Sequence, residues 1–363
     1  MADFVPFNKI DSKQWDDFCL KSDSAWFRHS GSSLAFCLGL NKANENLSFG
    51  VMESGNLLAV VPLIKQPVSG GDFFEFAMGG DPIPFPALFN DLPDSKSKKL
   101  VKSIFEKIDE IAKENSVVYA KFFFDPLVEN FRSDSPRFNP FLKLGFNDVS
   151  LTTNIIDLSL PEEELFKNIR DGYQYDIRSA AKLNLTVEFF DKNNISDDIF
   201  GIYKDIYFSA AGKEVGTAER WNATHDLIRQ GNAVLALEKN ADGKFIAGII
   251  VFTYKNQAYY AFGATAKDYK DESGISHLLQ WEIIKYLKAH NFGHYELGCN
   301  FYPILSDEVR TPKEVSISFF KSGFGGAILP LFRGEKFYDA EYLRLRKEDM
   351  INKFIEYYMA VKE

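Results

Sequence analysis

Cysteine is scarce: three residues in 363. Cys19, Cys37 and Cys299 form no CxxC pair. An odd, scattered set excludes a disulfide framework and a structural zinc site. Histidine is nearly as sparse, five in all, with no metal-ligand spacing, so no metal is assigned. No stretch approaches about 18 uninterrupted apolar residues, which excludes a transmembrane helix. The opening MADFVPFNKI lacks a basic segment followed by an apolar run, so no secretory signal is expected. There is no excess of positive charge: 42 Lys and Arg face 51 Asp and Glu, for a net −9. That balance disfavours non-specific binding to nucleic acid, which depends on neutralising phosphates. Neither GxGxxG after a strand nor GxxxxGK[ST] occurs, so dinucleotide and P-loop folds lose their main support. A globular, cytoplasmic protein is the expectation.

Phenylalanine is plentiful, 35 residues, and hydrophobic residues make up 45%. The simplest use of so much Phe is a Phe-rich core; aromatic stacking surfaces for a ligand are the lesser reading. The length allows two domains, each with a sizeable core.

Two distant stretches read as one structural unit. GNLLAVVPLIK (55–65) and GKFIAGIIVFT (243–253) each start at a glycine turn and run on as an apolar strand. Each is followed by a second strand-like run, FFEFAMGG at 73–80 and AYYAFGATA at 258–266. Amphipathic helices at 98–115 and 277–291 come next, each ending at an asparagine. Strands follow, VVYAKFFF (117–124) and HYELG (294–298). Similarity recurring at about half the chain length indicates a duplicated unit rather than a short solenoid repeat. The expected domains are 1–150 and 151–363, with a closing helix at 340–361 that packs back on the first.

Between the copies, NIIDL (154–158) reads as a strand. SLPEEELFKNI then carries cap, proline and acidic signals for a helix. RDGYQYDIRSAAKLN (170–184) follows as a second helix. The proline-bearing GGDPIPFPALFNDLPDS (79–95) reads as a long loop.

Three segments resemble the Fem-type (FemAB-like) aminoacyl and peptidyl transferases. NIIDLSLPEEELFKNIRDGYQYDIRSAAK resembles their strand, acidic helix and Tyr- and Arg-bearing helix. ATAKDYKDESGISHLLQWEIIKYLKAHNFGHYELG resembles their strand, helix and strand around an aromatic–Glu pair, and SFFKSGFGG resembles their Phe-Lys-x-Gly-Phe-Gly-Gly signature. The resemblance implies an α/β (α+β) fold of two tandem GNAT-like domains, each a mixed central sheet flanked by helices. It implies transfer of an acyl or aminoacyl group to an amine of a cell-envelope or nucleotide-sugar precursor. Partners of that kind are a nucleotide-linked sugar or a peptidoglycan precursor. No tightly bound cofactor is implied. The donor is aminoacyl-tRNA, with acyl-CoA or acyl carrier protein as alternatives. Two other readings stay open: an acyl-CoA- or carrier-protein-dependent N-acyltransferase on an amino sugar, and a non-catalytic GNAT-like binding protein.

Candidate residues follow from what amide formation needs: close positioning of two substrates and stabilisation of the carbonyl oxyanion. Lys321, after Phe320 and before a Ser-Gly pair, can hold an ammonium near developing negative charge. Gly323, Gly325 and Gly326 let backbone approach a ligand or bend tightly. Arg178 and Lys182 share a helical face with Tyr175, a surface suited to phosphate. Glu296, in HYELG, is placed to bind or deprotonate an amine. Asp81, heading the long loop, is placed to touch an acceptor. Lys65 and Lys121 are further candidates for cleft charge. The turn before the 277–291 helix, KDYKDESGISHLL, has one glycine, Gly274, preceded by Asp271 and Glu272. Acids there would repel the pyrophosphate of acyl-CoA.

Overall fold

A computed structural model describes residues 2–68, 73–133, 137–270, 272, 274–305 and 308–359. The chain forms two compact units. Unit 1 comprises residues 1–152, 301–316 and 330–363, and unit 2 comprises 153–300 and 317–329. Unit 2 begins at Thr153. The stretches 301–316 and 330–363, however, return to unit 1. That includes the closing helix, which spans Ala340–Phe354; residues 360 and 361 of the expected span lie outside the described residues.

Unit 1 contains two sheets. Its first copy of the repeat begins where Ser54 and Gly55 both take positive φ, reversing the chain between Phe49–Glu53 and Asn56–Val61. The apolar run then splits. Pro62, which has no N–H to give a ladder, separates Asn56–Val61 from Ile64–Pro67, and the two strands join different sheets. Ile64–Pro67 pairs antiparallel with Phe74–Phe76, which pairs parallel with Val117–Phe123 across the helix Asp94–Glu114. The loop expected at 79–95 contains two short strands, Ile83–Pro84 and Ala87–Leu88. Part of the abundant Phe is used here: Phe85, Phe105, Phe122, Phe141 and Phe146 pack ring against ring, with Phe105 5.3 Å from Phe122.

Unit 2 is built on one seven-stranded sheet. Its order is Thr186–Phe190, Ala233–Lys239, Phe245–Tyr254, Gln257–Thr265, His294–Asn300, Leu151–Asp157, Ala327–Leu331. The second copy has the connectivity of the first. Phe245–Tyr254 pairs antiparallel with Gln257–Thr265, which pairs parallel with His294–Asn300 across the helix Ile275–Ala289. Gly243 takes positive φ, as Gly55 does. The helix exits match too: Ser116 after Asn115, and Asn291, both take positive φ. The core gathers Ile156, Ile177, Ile249, Leu278, Tyr295 and Phe324.

Candidate functional site

The signature segment is a helix followed by a glycine turn. Pro312–Ser322 is helical, entered through a reciprocal cap. The Thr311 backbone N–H donates to the Glu314 carboxylate, and the Glu314 N–H donates to Thr311 Oγ1. Lys321 therefore stands on the last helical turn. Buried Ser318, three residues earlier on the same face, donates its hydroxyl to the Cys299 carbonyl at 3.1 Å. That bond ties the helix to the end of the His294–Asn300 strand.

This strand end is where the candidate chemistry collects. Gly298 has φ +96°, a conformation that favours glycine. A Cβ there would sit 3.6 Å from the Lys321 ammonium, in ordinary contact. The ammonium lies 3.8 Å from the centre of the Tyr260 ring. Burial pushes the Lys321 pKa down to about 8, opposed by Cys299 and Glu296. Glu296 is 3% exposed, and its Oε1 accepts the Thr153 hydroxyl at 2.7 Å. The ammonium is thus poorly hydrated yet still mostly charged at pH 7. Such a group interacts more strongly with nearby negative charge than one in water.

The glycines serve packing more than openness. A Cβ on Gly323 would fall 2.1 Å from the Tyr173 ring. The Gly323 carbonyl accepts the Arg170 N–H at 2.9 Å, just ahead of the helix Asp171–Ala180. Gly325 and Gly326 both have positive φ, and a Cβ on either would press on backbone oxygens, of Asn168 and Ile155 respectively. Phe320 joins Tyr173, His277 and Phe324 in an aromatic cluster, with the Tyr173 and His277 rings 4.2 Å apart. The Arg170 guanidinium covers this edge, 4.1 Å from the Phe319 ring.

Tyr175, Arg178 and Lys182 lie on the outer face of this region, and all three are exposed. The helix ends at Ala180, and Lys182 follows in a turn that continues its path, its N–H donating to the Ser179 carbonyl. Arg178 rests over the Phe166 ring and donates to Gln174 at 3.4 Å. The structure therefore brings Lys321, Glu296, Phe320 and Gly323 together and keeps the Tyr175 strip apart as a surface. Asp81 belongs to unit 1, exposed, closing a tight turn through Gly79 and Gly80 by backbone bonds with Met78. Lys65 and Lys121, also in unit 1, are each paired with a carboxylate, Glu45 at 3.1 Å and Glu308 at 3.5 Å.

Sequence reasoning missed Tyr260, Thr153 and Tyr173. Tyr173 was findable. It stands at i and Ile177 at i+4, on the apolar face of the helix, whereas Tyr175 points about 160° away. Among the described residues no cluster of His, Cys, Asp and Glu is suited to a metal, and no helix is long and apolar enough to cross a membrane.

At the amino terminus of Ile275–Ala289, a Gly274 Cβ would lie 2.7 Å from the Asp176 carbonyl oxygen. The Asp176 carboxylate stands 3.9 Å from His277 Nε2. Glu272 is exposed, while Asp271 lies outside the described residues.

Residues 170–303 match the acetyltransferase (GNAT) domain family. Over 87 residues the chain is 29% identical to a lipid II:glycine glycyltransferase of Staphylococcus epidermidis, a stretch covering 23% of this chain. The match spans about a fifth of that relative's length. The structure is similar to that of FemX, with a TM-score of 0.65 and 14% identity, covering 95% of this chain and 100% of FemX. It is also similar to L-PGS from Bacillus licheniformis, with a TM-score of 0.56, 13% identity, and 96% of both chains covered. A tandem GNAT protein from the clavulanic acid biosynthesis pathway aligns with a TM-score of 0.52, 12% identity, and 93% and 98% covered. At such identities these structures speak to fold. With the repeated strand, strand, helix, strand unit and the domain match at 170–303, they show a tandem GNAT fold. The likeness to FemX in fold, and to the glycyltransferase over 87 residues, accords with the Fem-type resemblance of the FFKSGFGG segment and its neighbours.

Proposed function

We propose that the protein transfers an aminoacyl or acyl group to an amine of a cell-envelope precursor, with aminoacyl-tRNA as donor. The observation that carries this reading is the Lys321 ammonium, held against Tyr260 beside the Gly298–Cys299 strand end. In the proposed reaction the amine lone pair attacks the ester carbonyl carbon. The carbonyl oxygen gains negative charge, and Lys321 stabilises it. The C–O bond to the ribose then breaks, and the proton lost by the amine ends on the departing ribose oxygen. Glu296, buried beside Lys321, acts through it: its charge favours the protonated ammonium. Phe320 and Gly323 shape the adjoining wall. The exposed Tyr175, Arg178 and Lys182 suit the phosphates of a nucleotide-linked sugar or peptidoglycan precursor, and Asp81 is a candidate contact for the acceptor.

One further observation weighs on the donor. An acyl-CoA pyrophosphate at the start of the Ile275–Ala289 helix would need free N–H groups and positive potential. The Asp176 carbonyl packs against that helix start, and the Asp176 carboxylate stands beside its first turn. Negative character there disfavours acyl-CoA and leaves donors without that grip, aminoacyl-tRNA first and acyl carrier protein second.

The test is a transfer assay on the purified chain, with labelled aminoacyl-tRNA and, separately, labelled acetyl-CoA as donors. Lipid II and UDP-linked muramyl pentapeptide serve as acceptors, and products are identified by mass. Transfer from aminoacyl-tRNA that is lost in Lys321→Met supports the reading. Transfer from acetyl-CoA alone would replace it with the amino-sugar N-acyltransferase.

A further inference from the structure

Unit 1 contains a cluster of charges that the transfer site does not use. Lys121 projects from the strand Val117–Phe123, Glu308 and Arg310 precede the helix Pro312–Ser322, and Arg346 comes from Ala340–Phe354. They meet at one carboxylate. Glu308 Oε1 is 3.0 Å from Arg346 Nη2 and 3.5 Å from Lys121 Nζ, and Oε2 is 2.8 Å from Arg310 Nη2. Three cations thus share one carboxylate, which pushes its pKa down to about 2 despite burial.

The nearby acids are engaged in contacts of their own. Glu335 accepts from Tyr119 and Lys347, and Glu314 is engaged by Arg310 and Thr311. Glu75 accepts from Gln66, and burial raises its pKa. The cations are also braced independently of Glu308. The Arg346 guanidinium lies 4.3 Å from the Tyr119 ring centre and donates to the Tyr119 and Tyr342 hydroxyls. Lys121 rises from a strand paired on both sides. Exposure separates the partners: the side chain of Glu308 is 40% exposed, those of Lys121 and Arg346 6% and 16%. A cavity of about 470 Å³ opens beside them, lined by Val68, Phe73 and Tyr342 as well as Glu308, Arg310 and Arg346.

We propose that Lys121, Arg310 and Arg346 form a binding site for a phosphate-bearing ligand, and that Glu308 is a built-in carboxylate occupying it until the ligand arrives. A phosphate dianion offers more charge and more acceptor oxygens than one carboxylate, and two arginines match it with paired N–H donors. Glu308, already part-exposed, can turn to solvent while the cations stay fixed. This site is independent of the transfer reaction.

The experiment is titration calorimetry on the full chain with inorganic pyrophosphate, alongside sedimentation with phosphatidylglycerol vesicles, the melting temperature of each variant being recorded. Glu308→Gln removes the competing charge and keeps the shape, so pyrophosphate affinity should rise on the order of tenfold, a 1.4 kcal/mol change. Arg346→Met in that background should abolish the gain, and Arg178→Ala should leave it intact. Pyrophosphate binding without vesicle binding indicates a soluble phosphorylated ligand; binding to both indicates a lipid-linked one. Glu308→Gln binding no tighter than wild type overturns the proposal. So does a gain that survives Arg346→Met or disappears with Arg178→Ala, which would place the anion elsewhere. Failure of both Glu308→Gln and Glu308→Ala to fold would show a structural ion network and end it equally.

Discussion

The Lys321 ammonium sits 3.8 Å from the centre of the Tyr260 ring, close enough for the ring face to recover part of what burial costs the charge. Removing the ammonium should therefore separate function from folding. A lysine whose pKa falls from 10.5 to about 8 on folding binds its proton less tightly when folded. That cost is fully present below about pH 8 and is relieved as pH rises towards 10.5. It amounts to at most about 3 kcal/mol, of which the ring contact returns roughly 1–2 kcal/mol. Lys321→Met should accordingly melt no lower than wild type at pH 7. Its turnover should fall on the order of 100- to 1,000-fold, as for loss of an oxyanion donor. Thermal melts and steady-state rates on one preparation test both halves; turnover within about threefold of wild type would make Lys321 a packing residue.

Because the ammonium is the active form, transfer should decline on the alkaline side with a midpoint near pH 8, the Lys321 value. Tyr260→Phe retains the ring face and should leave that limb in place. Tyr260→Leu removes it and should move the limb to lower pH, because the charged form loses its partner. Glu296→Gln should shift it in the same direction. A pH–rate profile unmoved by all three variants would detach Lys321 from the chemistry.

The repeat was legible because each copy carries near-continuous apolar strand runs and a helix with a period near 3.6, between recognisable turns. Boundaries were less so. The Asp94–Glu114 helix opens with DSKSKK, which has no apolar period, so its first turn is invisible in the pattern. The helix carrying Lys321 was not read from the sequence, although Thr311, Pro312 and Glu314 supply a cap, an N1 proline and an N3 acid. Tyr260 was not findable: its partner stands 61 positions on, and no local rule links a strand ring to a helix end. Nor does any local period show that 301–316 and 330–363 complete the core of unit 1 rather than unit 2.

Gly323 should tolerate no side chain. Its φ is ordinary, so strain would arise from the Tyr173 ring, 2.1 Å from where an added methyl would stand. Gly323→Ala is expected to cost about 1–3 kcal/mol, the range for overpacking. Gly172→Ala, with nothing within 4 Å, should be neutral or slightly stabilising. Pairing Gly323→Ala with Tyr173→Ala provides the check: in the Tyr173→Ala background most of the penalty should disappear. A penalty that persists would assign Gly323 a backbone role instead.

Glu238 gives the sharpest dependence of stability on pH. It is 0% exposed on the strand Ala233–Lys239, opposite Val187 and Ala247, and neither carboxyl oxygen has a hydrogen-bond partner among the described residues. Burial, with Glu282 adding repulsion, pushes its pKa from 4.5 to about 9. The folded state then holds a proton that the unfolded state releases above pH 4.5. Stability from this group is full below pH 4.5 and is lost as pH rises towards 9. At pH 7 the loss is roughly 3 kcal/mol. Glu238→Leu should therefore stabilise the protein by about 2–3 kcal/mol at pH 7 and by much less at pH 4.5. Urea unfolding of wild type and variant at the two pH values measures the difference. An equal gain at both would show that packing, not ionisation, sets the effect, and no gain at pH 7 would show that water or a cation reaches the carboxyl.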